Sequence, residues 1–230
     1  MRYLHSYQYV FISPRWLNNL GLGTVCQFVP IAGDIVLLGY HFEMIEAMIR
    51  DGEENYPDFN MNRLMPYLKR GIWPFLIQLI AGIPLAILLI LFCIIFLVAI
   101  VGAGGEPSYG VLLLFVFFFL ASIVFGVVVM PFLVLPLEIG AGLGNGLRAA
   151  FSRAFYGGFV KRCWKELLLV QLFTFVCGSF LVLIGALLFC FGAYPARALV
   201  MFSRSHLCYQ VYMLYLERGG SPPAAKKAIV

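Results

Sequence analysis

From residue 71 to residue 105 the chain reads GIWPFLIQLIAGIPLAILLILFCIIFLVAIVGAGG, a run with no charged side chain. A bilayer core about 30 Å thick is crossed by roughly 20 apolar residues in a helix, so this run is long enough to span one. Its centre, LAILLILFCIIFLVAIV, shows no alternation of apolar and polar residues. That excludes a lipid-facing β-barrel strand, which alternates with period two. In lipid the backbone must satisfy its own hydrogen bonds, and a helix does so within one segment.

The same reading extends outward in both directions. Residues 107–137 and 167–196 are also free of charge. Two weaker apolar stretches flank them: residues 16–40, interrupted by Asp34, and residues 198–216, interrupted by Arg204 and His206. The chain of 230 residues is 62% hydrophobic and 12% charged, whereas a soluble domain is about 45–50% apolar and about 25% charged. The expected fold class is therefore an all-α integral membrane protein, a polytopic bundle of four or five membrane-crossing or re-entrant helical units in one domain. Its expected parts are an N-terminal segment 1–15, a broken helix or hairpin 16–49, a cytoplasmic loop 50–70, membrane helices 71–101 and 110–137, a basic amphipathic segment 138–166, a broken helical pair 167–217 and a tail 218–230. No cleavable signal peptide is recognised at the N-terminus, which lacks a continuous apolar core followed by a small-residue cleavage site. The cysteines Cys26, Cys93, Cys163, Cys177, Cys190 and Cys208 are scattered without a C-x-x-C pair and read as small packing residues.

Basic residues set the orientation, because Lys and Arg collect on the cytoplasmic side. They cluster at Arg50, Arg63, Lys69 and Arg70, at Arg148, Arg153, Lys161, Arg162 and Lys165, and at Arg218, Lys226 and Lys227. The connection GAGGEPSYG has one Glu and no basic residue, so it is expected outside and the C-terminus inside. Arg2 and Arg15 favour a cytoplasmic N-terminus as well. The first apolar stretch then has both ends inside and must dip and return. Within FVPIAGDIVLLGY, Pro30 breaks a helix and Gly33 permits a turn, which predicts a hairpin with arms at residues 16–29 and 31–49. The alternative is a kinked single span with the N-terminus outside. Gly192 and Pro195 interrupt the last apolar stretch in a comparable way, and paired interruptions of this kind mark binding sites in some transporters. Pro and Gly are also common in membrane helices without any such role.

A Pro/Gly-broken opening helix runs into LLGYHFEMIEAMIRDGE, followed by YPDFN and MNRLMPYLKRGIWPFLI. The second half holds FVKRCWKELLLVQLF and LIGALLFCFGAYPARALVMFSRSHLCYQVY. This order resembles the uncharacterised bacterial and archaeal membrane-protein family called domain of unknown function 4013, over about residues 17–217. The resemblance implies an all-helical membrane protein built as one module. It implies no activity.

Charges inside apolar stretches are costly unless paired or wet, and are functional candidates for that reason. They are Asp34, Arg197, Arg204 and His206. Arg197 and Arg204 lie seven apart and share a helix face. Asp34, with Glu43 as a second acid, is expected to face Arg204 across the two broken segments. The pairing either lines an intramembrane polar pocket or simply locks the helices together. Glu43 and Glu46 share a face with Arg50 as the expected partner. No metal is expected: there is no H-E-x-x-H pattern and no paired E-x-x-H motif around His5, His41 or His206. Ser203 and Ser205 cannot face His206 on one helix, and no nucleophile elbow occurs. The glycine run GAGLGNG fails the dinucleotide spacing, since Leu147 stands where a glycine is required. No catalytic residue and no cofactor are expected.

The stretch GLRAAFSRAFYGGFVKRCWKEL carries Phe151, Phe155, Phe159 and Cys163 at intervals of four, which predicts one or two amphipathic helices on the cytoplasmic face. Its basic residues Arg148, Arg153, Lys161, Arg162 and Lys165 would meet anionic lipid headgroups, at about 1 kcal/mol each, or simply enforce topology. The connection RDGEENYPDFNMNRLMPYLKRG is expected to be an exposed cytoplasmic loop followed by an interfacial helix capped near Asn60 or Asn62. Net charge +5 follows from topology and gives no support for nucleic-acid binding. The leading expectation is a non-enzymatic accessory or scaffolding subunit of an inner-membrane assembly, partnered by the bilayer and by another membrane protein or a second copy. The alternative is a small transporter or lipid-handling protein with a polar pocket between the broken helices. A strong intramembrane polar cluster favours the alternative, and an apolar belt matched to a protein neighbour favours the subunit.

Overall fold

A computed structural model describes residues 1–54, 56–102, 108–188 and 190–223. The expected outer connection and the basic pair at residues 226–227 lie largely outside this range. Among the described residues there are helices and no strands. The order is α1 (His5–Val10), α2 (Trp16–Cys26), α3 (Ala32–Asp51), α4 (Leu64–Gly102), α5 (Tyr109–Val124), α6 (Met130–Gly144), α7 (Leu147–Ala150), α8 (Arg153–Leu187) and α9 (Ala193–Glu217).

The first apolar stretch is broken where Pro30 predicts. Helix α2 ends at Cys26 and α3 starts at Ala32. Between them Ala32 N–H donates to Pro30 O at 2.6 Å, with Ile31 at φ 63°. This is a γ-turn of the rare, strained hand. The arms run back on one another. In the first turn of α2, the Asn19 side-chain Oδ1 accepts from Phe59 N–H, and the Tyr40 hydroxyl, halfway down α3, donates to Pro57 O in the same connecting segment.

Helix α3 packs antiparallel on α4 with very little space between the backbones. A Cβ placed on Gly71 would come within 1.8 Å of Ile35 O, and one on Gly39 within 1.9 Å of Tyr67 O. Glycine at both positions is what permits this approach.

Two expectations need correction. Residues 64–70 are not a separate interfacial helix. The Asn60 side chain caps a 3₁₀ turn, Met61–Arg63, by accepting from Asn62 N–H, and the chain then continues as one helix to Gly102. At 39 residues α4 is about 58 Å long, so its first turns stand beside the core while the remainder runs on beyond it against α6 and α5. The second correction concerns the amphipathic stretch. Phe155, Phe159 and Cys163 are buried as their spacing predicts, but Phe151 is exposed. It caps the four-residue α7 rather than lying on α8, so it is out of phase with the others. The basic face continues directly into the apolar part of α8 through a kink at Cys163.

The core sits at the end of the molecule that holds the α3–α4 connection. Tyr40 meets Phe59, Tyr67 and Phe202 edge-on at 4.9, 5.7 and 5.4 Å. Tyr215 stacks on Phe159 at 4.6 Å and meets Phe155 edge-on. Beyond this core α4 and α5 run out with their apolar side chains uncovered. Leu97, Val98 and Leu113 are 63%, 64% and 70% exposed. Between α5 and α6 the helix makes one π-turn, Phe125–Val129. Pro131 follows and lacks the N–H for its own helical bond, and a π-turn absorbs such a mismatch. By length and composition, Met61–Val101 and Arg153–Leu187 can each cross a membrane.

Candidate functional site

Above the aromatic core, three polar side chains meet between apolar helices. Arg204 on α9 donates from Nη2 to Glu138 Oε2 on α6 at 2.9 Å. Gln78 on α4 donates from Nε2 to Glu138 Oε1 at 2.8 Å. Glu138 is nearly inaccessible, its side chain 6% exposed. Each carboxylate oxygen has a partner, one the Arg204 cation and the other the neutral Gln78 amide.

This cluster forms a shared wall between two cavities. One, of about 330 Å³, lies among α2, α3, α4, α8 and α9 and is lined by Gln27, Asp34, Phe75, Arg197, Val200 and Met201. The other, of about 290 Å³, lies among α4, α6, α8 and α9 and is lined by Ala81, Leu85, Met130, Val134 and Glu138. Gln78, Thr174 and Arg204 line both. Asp34 and Arg197 stand 3.5 Å apart at the first cavity, both substantially exposed. Two side-chain oxygens in that lining, Gln27 Oε1 and Thr174 Oγ1, are buried with no hydrogen-bond partner among the described residues. A buried polar atom left unpaired costs about 1–3 kcal/mol, so a polar group in the cavity would relieve both.

The structure therefore brings together Asp34, Arg197 and Arg204, but the expected pairing is exchanged. Arg204 pairs with Glu138, and Asp34 with Arg197. The seven-residue separation explains this: Arg204 sits about 10 Å along α9 from Arg197. Asp34, in the first turn of α3 beside the tip of the α8–α9 hairpin, is level with Arg197 only. Glu43 is not in the site. It pairs with Arg63, and Glu46 with Arg70, around a separate cavity of about 220 Å³. Arg50 pairs with Asp51 at 2.8 Å rather than with either glutamate. His206 also lies elsewhere. It is two residues from Arg204, so it points to a different side of α9, where its Nε2 is 2.9 Å from Glu53 Oε1.

Glu138, Gln78 and Thr174 are the members that sequence reasoning missed. Glu138 directly follows an uncharged stretch and reads as the first residue past the membrane. The available signal was that no further charge occurs until Arg148, so Glu138 is a lone acid in a long apolar run. His41 and Ser205 form a 2.7 Å hydrogen bond. Both are buried and neither lines these cavities, so the pair fastens α3 to α9. The glycine run 140–146 ends α6, with Asn145 in the left-handed conformation that closes a helix.

The basic side chains Arg148, Arg153, Lys161, Arg162 and Lys165 are exposed at the core end. Arg162 is partly engaged, donating from Nε to Arg218 O at 3.0 Å. Arg218 in turn binds Glu166 at 2.6 Å. Lys165 lies over the Trp164 ring at 5.5 Å.

With the helical order and the broken first segment in place, comparison with known families gives a match. A family model described as a protein of unknown function, DUF4013, covers residues 22–190. The chain belongs to the DUF4013 family. The matched region takes in Asp34, Gln78, Glu138 and Thr174, and stops before α9 with its Arg197, Arg204 and His206. No curated protein and no solved structure is found to match the chain.

Proposed function

We propose that this DUF4013 protein is a multi-pass membrane protein that binds, and passes between compartments or leaflets, a small amphiphile with a polar head. The observation that carries the reading is the Arg204–Glu138–Gln78 cluster, set between two cavities and walled by helices whose outer faces are apolar. A charged pair in apolar surroundings is expensive to place and marks a substrate path in membrane bundles. The neighbouring Asp34 and Arg197 offer one acid and one base to a head group, and Leu37, Leu38, Phe75 and Val200 offer apolar contact to a tail.

In this reading the chain lies in the inner membrane of its host, with α4 leaving and α5–α6 returning. The α2–α3 hairpin re-enters without crossing, since α2 at 11 residues is about 16 Å long. The aromatic core, the basic side chains of α7–α8 and the C-terminus face the cytoplasm, where the exposed bases meet anionic lipid. Binding and passage require no chemistry at the ligand, so the protein is non-enzymatic.

The test is extraction in a mild detergent followed by native mass spectrometry. A defined small molecule or lipid should be retained by the wild type and lost in Arg197→Ala and Asp34→Asn, whose side chains are exposed enough to change without unfolding the chain. Retention of the same species by both variants, or no retained species in the wild type, would refute the proposal. A second reading, an accessory subunit of a membrane assembly, is favoured by the uncovered α4–α5 hairpin. Phe92, Phe96 and Phe115 stack there largely on one another. A protein co-purifying at fixed stoichiometry would support that reading instead.

A further inference from the structure

We propose that His5, Glu53 and His206 bind one divalent transition-metal ion of the zinc class, at a site separate from the Arg204 cavities. The three residues come from distant parts of the sequence: the first residue of α1, the chain just past α3, and the middle of α9. Their donor atoms lie within 4.8 Å of one another. His206 Nε2 is 2.9 Å and His5 Nδ1 is 3.9 Å from the same oxygen, Glu53 Oε1. A tetrahedral ion with bonds near 2.0–2.2 Å holds its ligand atoms roughly 3.4 Å apart. The first distance must open and the second close by about half an ångström each.

The groups around these atoms are those a metal site requires. Arg2 Nη2 sits 3.3 Å from Glu53 Oε2 and leaves Oε1 to the ion. The Gln210 amide lies 2.9 Å from His206 Nδ1, and Tyr9 stacks on the imidazole at 4.8 Å, fixing its plane. At present Gln210 Oε1 accepts from Arg2 N–H at 2.7 Å, so its Nε2 donates to Nδ1 and the His206 proton sits on Nε2. With the ion bound to Nε2, the proton sits on Nδ1, and Gln210 gives up its two contacts with the Arg2 backbone to turn its oxygen toward it.

The observation pointing past a plain Glu–His ion pair is His5. Its Nδ1 is buried and has no hydrogen-bond partner among the described residues. The Glu53–His206 contact explains two of the three side chains, and a shared ligand would account for the third, whose Nδ1 is 3.9 Å from the same carboxylate. A cavity of about 300 Å³, lined by Arg2, Glu53, Tyr209 and Gln210, supplies an entry path. Two imidazoles and one carboxylate suit zinc, cobalt or iron rather than calcium or magnesium, which take oxygen ligands. Three protein ligands leave a fourth position for water.

The test uses full-length, tag-free, chelator-stripped protein in micelles, titrated with Co²⁺ and followed by its visible absorption. The expected result is saturation at one Co²⁺ per chain, displacement by Zn²⁺, and at least a tenfold loss of affinity in His5→Ala and in Glu53→Gln. Glu217→Gln, in the same cavity wall but away from the three donors, should bind as the wild type does. His5 is a third exposed on a short terminal helix, so its replacement spares the core. Glu53→Gln serves as the second probe should His5→Ala misfold. Absence of a saturable 1:1 site in the wild type, or wild-type affinity in a folded His5 or Glu53 variant, would overturn the assignment.

Discussion

The Arg204–Glu138 pair gives the sharpest test of how the upper half of the molecule is held. Consider Glu138→Gln, which keeps the shape and removes the charge. Arg204 then has no counterion, and the new amide nitrogen competes with Gln78 as a donor. Breaking a buried pair from one side costs about 3–5 kcal/mol. Arg204 is 24% exposed and borders two cavities, so water would recover part of this, leaving about 2–3 kcal/mol. For a chain of this size that is a fall in Tm of about 5–10 °C. Arg204→Met alone strands the carboxylate of Glu138, the less accessible partner, and should cost at least as much. The double variant Glu138→Gln with Arg204→Met leaves neither charge behind and should return to within about 1 kcal/mol of the wild type. The assay is thermal unfolding of all four proteins in one detergent, followed by circular dichroism and read as a double-mutant cycle. A coupling near zero, with the double variant as unstable as the two singles added together, would refute the pairing.

Other consequences can be measured on the same preparations. Gly71→Val forces a side chain into Ile35 O and should cost more than about 3 kcal/mol, whereas Gly21→Ala, with nothing within 4 Å of its Cβ, should stabilise by about 1 kcal/mol. Equal effects of the two on Tm would contradict the close α3–α4 contact. Asn19→Ala leaves the buried Phe59 N–H without its acceptor and should lower stability by about 1–3 kcal/mol, with protease nicking near residue 58 as a second readout. Cys93 is exposed on the outer face of α4. In intact vesicles it should resist a membrane-impermeant maleimide that labels it after denaturation, and rapid labelling from water would place α4 outside the bilayer.

The fold was legible wherever a single physical cause dominated. Apolar runs without charge located α4, α5–α6 and α8, because little other than lipid-facing or buried helix accommodates them. Pro30 located the first break to within a turn. Legibility ended where tertiary contact overrode local pattern. The junctions before α4 and within α8 look like separate interfacial helices by composition. The chain instead runs through them, because the same residues pack on the core at one end and are apolar at the other. Phe151 follows the spacing of four but lies outside α8, since α7 is too short to carry the phase forward.

The site was legible only in part, and the reason is geometric. Helical periodicity states which side chains share a face of one helix, and it correctly grouped Arg197 with Arg204. It says nothing about the height at which a neighbouring helix passes. Charge alone pairs Asp34 with Arg204, but the α2–α3 tip stops level with Arg197, and the acid that reaches Arg204 comes from α6. Glu138 is not legible as a site residue because an acid at the end of an uncharged run reads as the end of the membrane segment. Its burial depends on α9 supplying a cation at that level. The His5, Glu53 and His206 cluster was less visible still. Its members are separated by 48 and 153 positions, so no local spacing joins them. What brings them together is α1 lying against α9 while the chain after α3 turns beneath it. Clusters formed by the ends of elements in this way follow from topology, and a sequence pattern can signal them only after the topology is known.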